Sequence, residues 1–309
     1  MAVSLSYETI DLSRLPAPNA IEPLNYETLQ SAFMGRFVAI WAAARALDPS
    51  LPQYDVQTLE TDPTVIVSEA WSYLRLIDRA RVNDAVRAVL APLAKGADLD
   101  NVVARVNIER LIVIPATDTT PAVMESDERM LLRYLLAFSR PAAGTRERYL
   151  FEAYTALPIL HHAAVNGTAI HGRRGDVDIV LAGPDGRDLT NGEMDIVRNR
   201  LLADDVKPEA VAVVCLKAQR TLYNFSGALL IAKGPDQTAV TNEAEARIRA
   251  AAYDRMKIGD FVPINSLAGA GYGPGVLRAS ATAPSADIAA NPYAIPILDA
   301  VSLAAGQQA

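Results

Sequence analysis

The chain has 309 residues, half of them apolar, with a net charge of −7 and a sequence pI of about 5.1. Phosphate binding requires a concentrated basic field, which this acidic chain lacks, so nucleic acid is not expected as a partner. No apolar run reaches the ~18 residues that span a membrane, so a membrane is not expected as a partner either. We also predict no signal peptide at the N-terminus. The mean hydropathy of +0.12 instead indicates apolar surface that is buried against other subunits.

The N-terminal segment predicts an arm followed by a helix. Residues 1–24 contain several prolines and no period sustained through the segment, which indicates an extended arm rather than a domain. Asn25 can cap a helix that runs to about Leu47. Its apolar stripe, at helical spacing, predicts a core or an interface. The aromatic members of that stripe are Phe33, Phe37 and Trp41.

Residues 60–110 carry the longest helical signal in the chain. Asp62 before Pro63 is a strong start signal, because a carboxylate accepts the unpaired amide protons and proline suits the first helical position. The pattern continues to about Ala94, although Pro92 should kink or end the helix nearby.

The apolar residues of this predicted helix change face midway along it. At 100° per residue, the first half forms one apolar row and the second half forms another, rotated by roughly two-fifths of a turn. Either the helix breaks near residues 80–83, or its two halves bury against different partners. The predicted interface residues on the two long helices are Phe33, Phe37, Trp41, Ile66, Trp71, Leu74, Ile77, Val82, Val86 and Leu90.

The polar residues of the same helix also change face midway, and in each half they lie on the face that is apolar in the other half. In the first half, Ser68, Ser72, Arg75 and Arg79 lie where the second apolar row will be. This arrangement predicts a two-sided connector rather than a helix with one core-facing stripe.

A short helix is expected over about 98–106. Asp98 and Asp100 are interpreted as its N-terminal caps rather than a general acid–base pair, because residues two apart do not share a helical face. Residues 111–114 predict a strand or a buried extended run, and the Pro/Thr/Asp-rich residues 115–122 predict a linker between domains.

The remaining sequence alternates helical and extended patterns, which indicates an α+β fold with small mixed or antiparallel sheets. Helices are predicted over about 125–138, 145–155, 191–203, 242–257 and 263–269, and strands over about 159–165, 176–182, 211–218, 221–232, 276–281 and 295–301. Residues 302–309 show no pattern and predict a disordered or docked tail. The predicted divisions are an extended arm (1–24), a helical domain (25–114), a middle α+β domain (115–219) and a C-terminal α+β domain (220–309).

No constellation of residues indicates catalysis. His161, His162 and His171, even with Asp176 or Asp178, match no metal-ligand spacing. We therefore predict no catalytic residue, no cofactor and no metal.

Three other features have structural explanations. Residues 269–275 are glycine-rich but lack the Lys-Ser/Thr of a phosphate-binding loop. Cys215 lies in an apolar strand-like run and predicts a buried, unreactive thiol. Arg173 and Arg174 are expected to be solvated. A hydrolase or small-molecule-binding enzyme built on the α+β part is the alternative, and it would show a pocket with convergent polar groups.

An ordered set of short motifs runs through residues 60–110 and continues more loosely downstream. The motifs are Glu60-Thr-Asp-Pro63, Trp71-Ser-Tyr-Leu-Arg75, Arg81-Val-Asn-Asp84-Ala-Val-Arg-Ala-Val, Gly96-Ala-Asp-Leu-Asp-Asn101 and Arg110, then Glu125-Ser-Asp-Glu128, Ala142-Ala-Gly-Thr, Tyr154-Thr-Ala and Pro263-Ile-Asn-Ser-Leu. Together they resemble the baseplate J-like family of contractile-tailed phages over roughly residues 24–305. The segment between residues 101 and 125 is shorter than in members that carry extra strands there.

The resemblance implies a structural role rather than an enzymatic one. Such proteins are baseplate wedge subunits, assembled into the virion after synthesis in the host bacterial cytoplasm. They pair with one another around the tail hub and join a tail-protein-I-like partner and a lysozyme-like wedge partner near the sheath. The same resemblance fits a tailocin or another contractile injection system. On this expectation, residues 63–93 pack in a helical bundle with wedge partners, and the α+β domains join neighbouring wedges that shift during contraction.

Overall fold

The computed structural model describes residues 16, 18–57, 59–138 and 140–308. The chain divides into two compact units, Met1–Glu109 and Arg110–Ala309. Over the described residues it combines helices with small sheets, which confirms the predicted α+β class. Most of the predicted arm falls on residues 1–15 and 17, which lie outside the described residues. The further division at residues 24, 114 and 219 stays a prediction.

The first unit is helical in the described part of the chain. Helix α1 spans Tyr26–Leu47, and the Asn25 side chain caps it by accepting a hydrogen bond from the main-chain N–H of Thr28 at 2.9 Å, as predicted. Helix α2 spans Pro63–Ala88 and helix α3 spans Ala97–Val103.

Helix α2 begins as predicted but ends earlier. The Asp62 carboxylate accepts hydrogen bonds from the first turn, including one of 2.8 Å from the Thr64 N–H. The helix stops at Ala88 instead of Ala94 because Pro92 cannot donate to the Ala88 carbonyl and its ring would collide with it. The helix is continuous through residues 80–83, which excludes the first of the two alternatives, a break there.

Asp98 and Asp100 do not cap α3, contrary to prediction. The capping position is Gly96, which provides no side-chain hydrogen bond, and the helix starts at Ala97. Both carboxylates therefore lie inside the first turn, where negative charge is favourable beside the positive end of the helix dipole.

The second unit begins with a β-hairpin and two helices. Strand β1 spans Ile112–Ile114 and pairs antiparallel with β2, Val123–Met124, so residues 115–122 form the hairpin loop. Helices α4, Asp127–Ala137, and α5, Arg146–Ala156, follow within one or two residues of their predicted starts. Ser126 and Thr145 cap them.

The first three-stranded sheet is mixed. Its order is β3-β4-β5, with β3 and β4 antiparallel and β4 and β5 parallel. A one-turn helix, α6, occupies a loop where none was predicted, and α7 connects β4 to β5 with a capping box at its start. The bounds are β3 His162–Asn166, α6 Thr168–His171, β4 Asp176–Ala182, α7 Asn191–Leu201 and β5 Ala212–Lys217.

The second three-stranded sheet is also mixed. Its order is β7-β6-β8, with β6 antiparallel to β7 and parallel to β8, and helices α8 and α9 pack against it. Residues 302–307 form the end of β8 and pair with β6, so this part of the tail is docked, which is the second of the two predicted alternatives. The bounds are β6 Gln219–Ile231, α8 Gln237–Asp254, α9 Ile264–Ala270, β7 Val276–Ala283 and β8 Ala294–Gln307.

A single extended segment belongs to both three-stranded sheets. Only Ala218 separates β5 from β6, and its N–H donates to the Leu181 carbonyl of β4 at 2.9 Å. The next N–H, that of Gln219, donates to the Tyr293 carbonyl beside β8 at 2.8 Å. A core cluster that includes Ala218 and Ile295 buries the junction.

Candidate interaction surface

The face of α2 that is buried within the chain is formed by small polar residues. Ser68 and Ser72 are fully buried, and Val65 and Asn83 accompany them along the same face. The Ser68 hydroxyl donates to the Val65 carbonyl at 2.7 Å, and the Ser72 hydroxyl donates to the Ser68 carbonyl at 2.6 Å. Because both hydroxyls are satisfied within the helix, these serines act as small, compact surfaces that cost little to bury.

The large apolar side chains of α2 lie outside this buried face. Leu74 is 62% exposed and Val82 is 59% exposed. The other exposed members of the predicted α2 set are Ile66, Trp71 and Ile77, whereas Val86 and the following Leu90 are half-buried. A helix with serines inside and leucine, isoleucine and tryptophan outside presents the kind of contiguous apolar surface that marks an interaction site.

The aromatic residues of α1 contact other aromatic residues of the same unit. The ring of Phe33 lies 5.2 Å from that of Trp71 on α2, centroid to centroid. Phe37 meets Tyr54 edge-on at 5.0 Å and stacks against Trp41 at 6.0 Å. Phe33, Phe37 and Trp41 are consequently half-buried, so this stripe both stabilises the unit and remains partly accessible.

A groove between α1 and α2 joins the apolar surface to charged residues. Leu29, Trp71 and Leu74 supply apolar side chains, and charged residues of both signs lie beside them. An apolar groove with a mixed charged rim suits an amphipathic helix. The charged lining residues are Arg75, Asp78 and Arg79.

A second apolar patch lies on the β1–β2 hairpin. Ile112, Ile114, Val123 and Met124 are all about half exposed, so of the two alternatives for residues 111–114 the structure shows the strand and not the buried extended run. The sheet has only two short strands, which cannot enclose either face. The run of consecutive apolar residues in the sequence resembles a buried strand and gives no signal for this exposure.

Buried charges anchor the hairpin to α4. The Arg133 guanidinium lies 2.6 Å from the Glu125 carboxylate, and both side chains are almost fully buried. Arg110 pairs with Asp127 at 2.7 Å and donates to the Glu125 main-chain carbonyl. The N–H of Leu111 donates to the Glu125 carboxylate at 3.2 Å. These contacts fix the base of an otherwise apolar, exposed hairpin.

The histidines bond main-chain groups instead of converging on a site. His161 Nε2 lies 2.7 Å from the Met256 carbonyl oxygen, and His162 Nδ1 accepts from the Ile258 N–H at 3.1 Å. Burial, with the nearby charges of His161 and Lys257, lowers the pKa of His162 to about 3. In the described part of the chain, no group of three or more His, Cys, Asp or Glu residues could hold a metal ion.

The other candidate chemical groups are also engaged structurally. Arg173 is not merely solvated, because it contacts both carboxylate oxygens of Asp178, at 2.6 and 2.7 Å, and Asp176 at 2.9 Å. Tyr293 donates to Asp178 at 2.7 Å. Cys215 is buried, and burial raises the pKa of its thiol to about 11, so it is not a nucleophile near neutral pH. Among the helices that the structure describes, none is both long and apolar enough to cross a membrane.

Comparison with known proteins shows which family this chain resembles. Residues 60–117, which contain α2, match the family described as the baseplate J-like N-terminal domain. Over 304 residues the chain is 30% identical to baseplate protein J of Escherichia phage P2, covering 91% of this chain and 93% of that protein. The family resemblance predicted from the sequence motifs is thereby confirmed.

Proposed function

The chain belongs to the baseplate protein J family, and from this premise we propose that it is a structural wedge subunit in the baseplate of a contractile phage tail. The observation that carries the proposal is the apolar outer surface of α2, where Leu74 and Val82 are largely exposed while Ser68 and Ser72 are buried. A protein that works by assembly needs such a surface, and catalysis does not require it.

The α1–α2 pair contributes to a helical bundle with wedge partners. Its groove accepts an amphipathic helix, with Trp71 and Leu74 as apolar contacts and Arg75 and Asp78 at the rim. The first half of α2 is exposed around Leu74, whereas Val86 in the second half is only half-buried by its own chain. This arrangement supports the prediction that the two halves of α2 contact different partners.

Partners of three kinds follow from the family role. Copies of this chain pair around the tail hub, a tail-protein-I-like subunit shares the helical bundle, and a lysozyme-like wedge protein binds near the sheath. The α+β unit, with its apolar hairpin at Ile112 and Met124, contacts neighbouring wedges. In the virion, these contacts would shift as rigid bodies when the sheath contracts. The protein needs no cofactor for this role.

The test is substitution of the apolar outer face, scored by tail assembly. Leu74→Asp and, separately, Val86→Asp should abolish incorporation into tail particles, because a carboxylate in a buried interface loses its hydration without a partner. The melting temperature of the isolated Leu74→Asp chain should lie within about 2 °C of that of the parent, since Leu74 is exposed in the chain alone.

Two matched variants serve as controls for this substitution. Ser31→Asp places the same charge on an exposed position of α1 and should assemble normally. Ser72→Asp places it on the buried face of α2 and should unfold the isolated chain. Normal assembly of Leu74→Asp, or cross-links from residues 60–95 that reach only their own chain, would contradict the proposal.

A further inference from the structure

Four strands lie at the edges of the two three-stranded sheets in the described part of the chain: β3, β5, β7 and β8. An open edge presents unpaired main-chain groups to any further strand, so native proteins usually cover or interrupt it. On β3, the Ala163 N–H donates to the Tyr154 hydroxyl of α5 at 3.0 Å. On β8, the Gln237 side chain donates to the Ala305 carbonyl at 2.8 Å. The pairing of β7 with β6 contains two register shifts, which make this edge irregular.

Strand β5 has none of these protections within the described residues. It pairs with β4 without a register shift over six residues, and it contains no proline and one charged residue, Lys217 at its end. The Ala212 N–H donates to the Gly175 carbonyl on the β4 side at 2.8 Å. Because main-chain groups alternate in direction along a strand, those of Val213, Cys215 and Lys217 point to the open side. No hydrogen bond between described residues reaches them there.

Helix α7 runs beside this open edge and forms a groove with it. Cys215, Leu216 and Lys217 of β5 line the groove, together with residues of α7 that include Asp195 and Arg198. Those two α7 side chains are exposed and pair with each other at 2.7 Å. An edge strand beside a helix is the arrangement in which an extended segment adds a strand by main-chain hydrogen bonds.

The groups on the open side are arranged symmetrically about Cys215. If a second β5 lies antiparallel to the first with Cys215 opposite Cys215, Val213 of each copy lies opposite Lys217 of the other. These are the hydrogen-bonded pairs of the ladder, so each group on the open side gains a partner. Between them, Val214, which is 44% exposed, lies opposite Leu216 of the other copy. The β5 edge is thus complementary to itself.

The charges beside the edge are complementary in the same arrangement. A two-fold axis through Cys215 reverses the direction of α7 as well as that of β5, so Asp195 of one copy approaches Arg198 of the other, and the reverse contact forms on the opposite side of the axis. Opposite charges that face each other across an interface favour that partner and that register. A strand from another protein would have to supply its own acid and base at these positions, whereas a second copy already carries both.

We propose that β5 of one copy pairs antiparallel with β5 of a second copy across a two-fold axis at Cys215. The two copies of the first three-stranded sheet then form one six-stranded sheet, with Asp195 and Arg198 paired across the axis. A contact of this kind closes on itself, so it joins two copies and no more. Because it is short, we expect weak dimers of the isolated chain that are reinforced wherever copies are held together. The inference does not rest on the wedge role.

Amide hydrogen exchange of the purified full chain, resolved by residue with NMR, tests the contact directly. The amides of Val213, Cys215 and Lys217 should exchange about tenfold more slowly at high than at low protein concentration. The amides of Val214 and Leu216 bond to β4 within each copy, so their exchange should not depend on concentration, and they serve as the control on the same strand. Protection of the first three amides that is independent of concentration would show that the edge is covered within its own chain and would overturn the proposal.

Val213→Pro tests the hydrogen bonds across the axis. Proline lacks the N–H that points to the open side, and the substitution breaks no bond to β4, so an edge strand tolerates it. Because the two-fold contact loses the bond twice, the protein concentration at which the Cys215 amide becomes protected should rise about tenfold. An unchanged concentration would overturn the proposal. Leu74→Asp, which tests the wedge surface, should leave the protection at β5 intact, so failure of one idea is distinguishable from failure of the other.

Charge variants test the register without a change in the backbone. Asp195→Arg leaves two arginines on α7 and Arg198→Asp leaves two aspartates, so each variant alone should dimerise through β5 about two- to fivefold more weakly than the parent. An equimolar mixture of the two should recover the parent affinity, because the arginines of one chain then face the aspartates of the other. Glu245→Arg and Arg249→Asp, at an ion pair on α8, are the matched controls and should have no effect alone or mixed. A mixture that dimerises no better than the separate variants would overturn the pairing.

Discussion

The side-chain amide of Asn83 forms two hydrogen bonds with the main chain of Glu22, 61 residues earlier in the chain. Its nitrogen donates to the Glu22 carbonyl at 2.8 Å, and its oxygen accepts from the Glu22 N–H at 3.0 Å. Asn83 is almost fully buried, so these bonds are protected from water. Helix α2 therefore fixes the segment that precedes α1 by recognising its backbone, whatever side chain stands there.

Replacing Asn83 by alanine should release this segment. The substitution removes both hydrogen bonds and leaves a void, and we expect a loss of about 2–3 kcal/mol in the free energy of unfolding, measured by urea denaturation. Cleavage by a nonspecific protease should increase near Glu22. Asn101→Ala, which removes one exposed bond to the Ala97 carbonyl, should cost less than about 1 kcal/mol. Equal losses for the two variants would contradict this role of Asn83.

The buried pair of Glu125 and Arg133 should dominate the stability of the hairpin base. Glu125→Ala leaves the Arg133 charge buried beside the hairpin, and we expect a loss of about 3–5 kcal/mol in urea denaturation. Asp195→Ala breaks an exposed pair with Arg198 on α7 and should cost less than about 1 kcal/mol. A small effect of Glu125→Ala would show that water reaches the pair.

Acid should destabilise the protein through His162. Burial, with His161 and Lys257 nearby, lowers the pKa of His162 from 6.5 to about 3 in the folded chain. Between these values the unfolded chain binds the extra proton and the folded chain does not, so the free energy of unfolding falls as the pH drops from about 6.5 towards 3. The loss attributable to this group reaches about 5 kcal/mol by linkage and is complete below pH 3.

The measurement is urea denaturation at a series of pH values, with His162→Gln as the variant. Glutamine can still accept from the Ile258 N–H but does not titrate, so the stability of the variant should vary less with pH in this window. An unchanged slope in His162→Gln would show that other groups govern the acid response.

Helix starts could be predicted from the sequence because caps are local. Asn25 and Asp62 each accept hydrogen bonds from main-chain N–H groups two or three residues later, and no distant residue is needed. Helix ends and weaker caps were less well predicted. Aspartate is a common capping residue, but α3 already begins at Ala97 with Gly96 at the capping position, so Asp98 lies inside the helix.

The burial of α2 could not be predicted from its apolar pattern. The pattern identified the exposed row around Leu74 but not that Ser68 and Ser72 form the inner face. Periodicity shows which residues share a face, but the partner decides which face is buried. The same limit explains the exposed Ile112 and the strand at residues 302–307, whose pairing depends on the distant backbone of β6.

The junction at Ala218 also has a mechanical meaning. Because β5 continues directly into β6, tension applied to the first sheet is carried into the second by covalent bonds rather than by a loop that could straighten. Met256, whose carbonyl oxygen lies 2.7 Å from His161 Nε2, belongs to the core cluster that contains Ala218. A force applied to one sheet should therefore be transmitted to the other with little extension of the chain at Ala218.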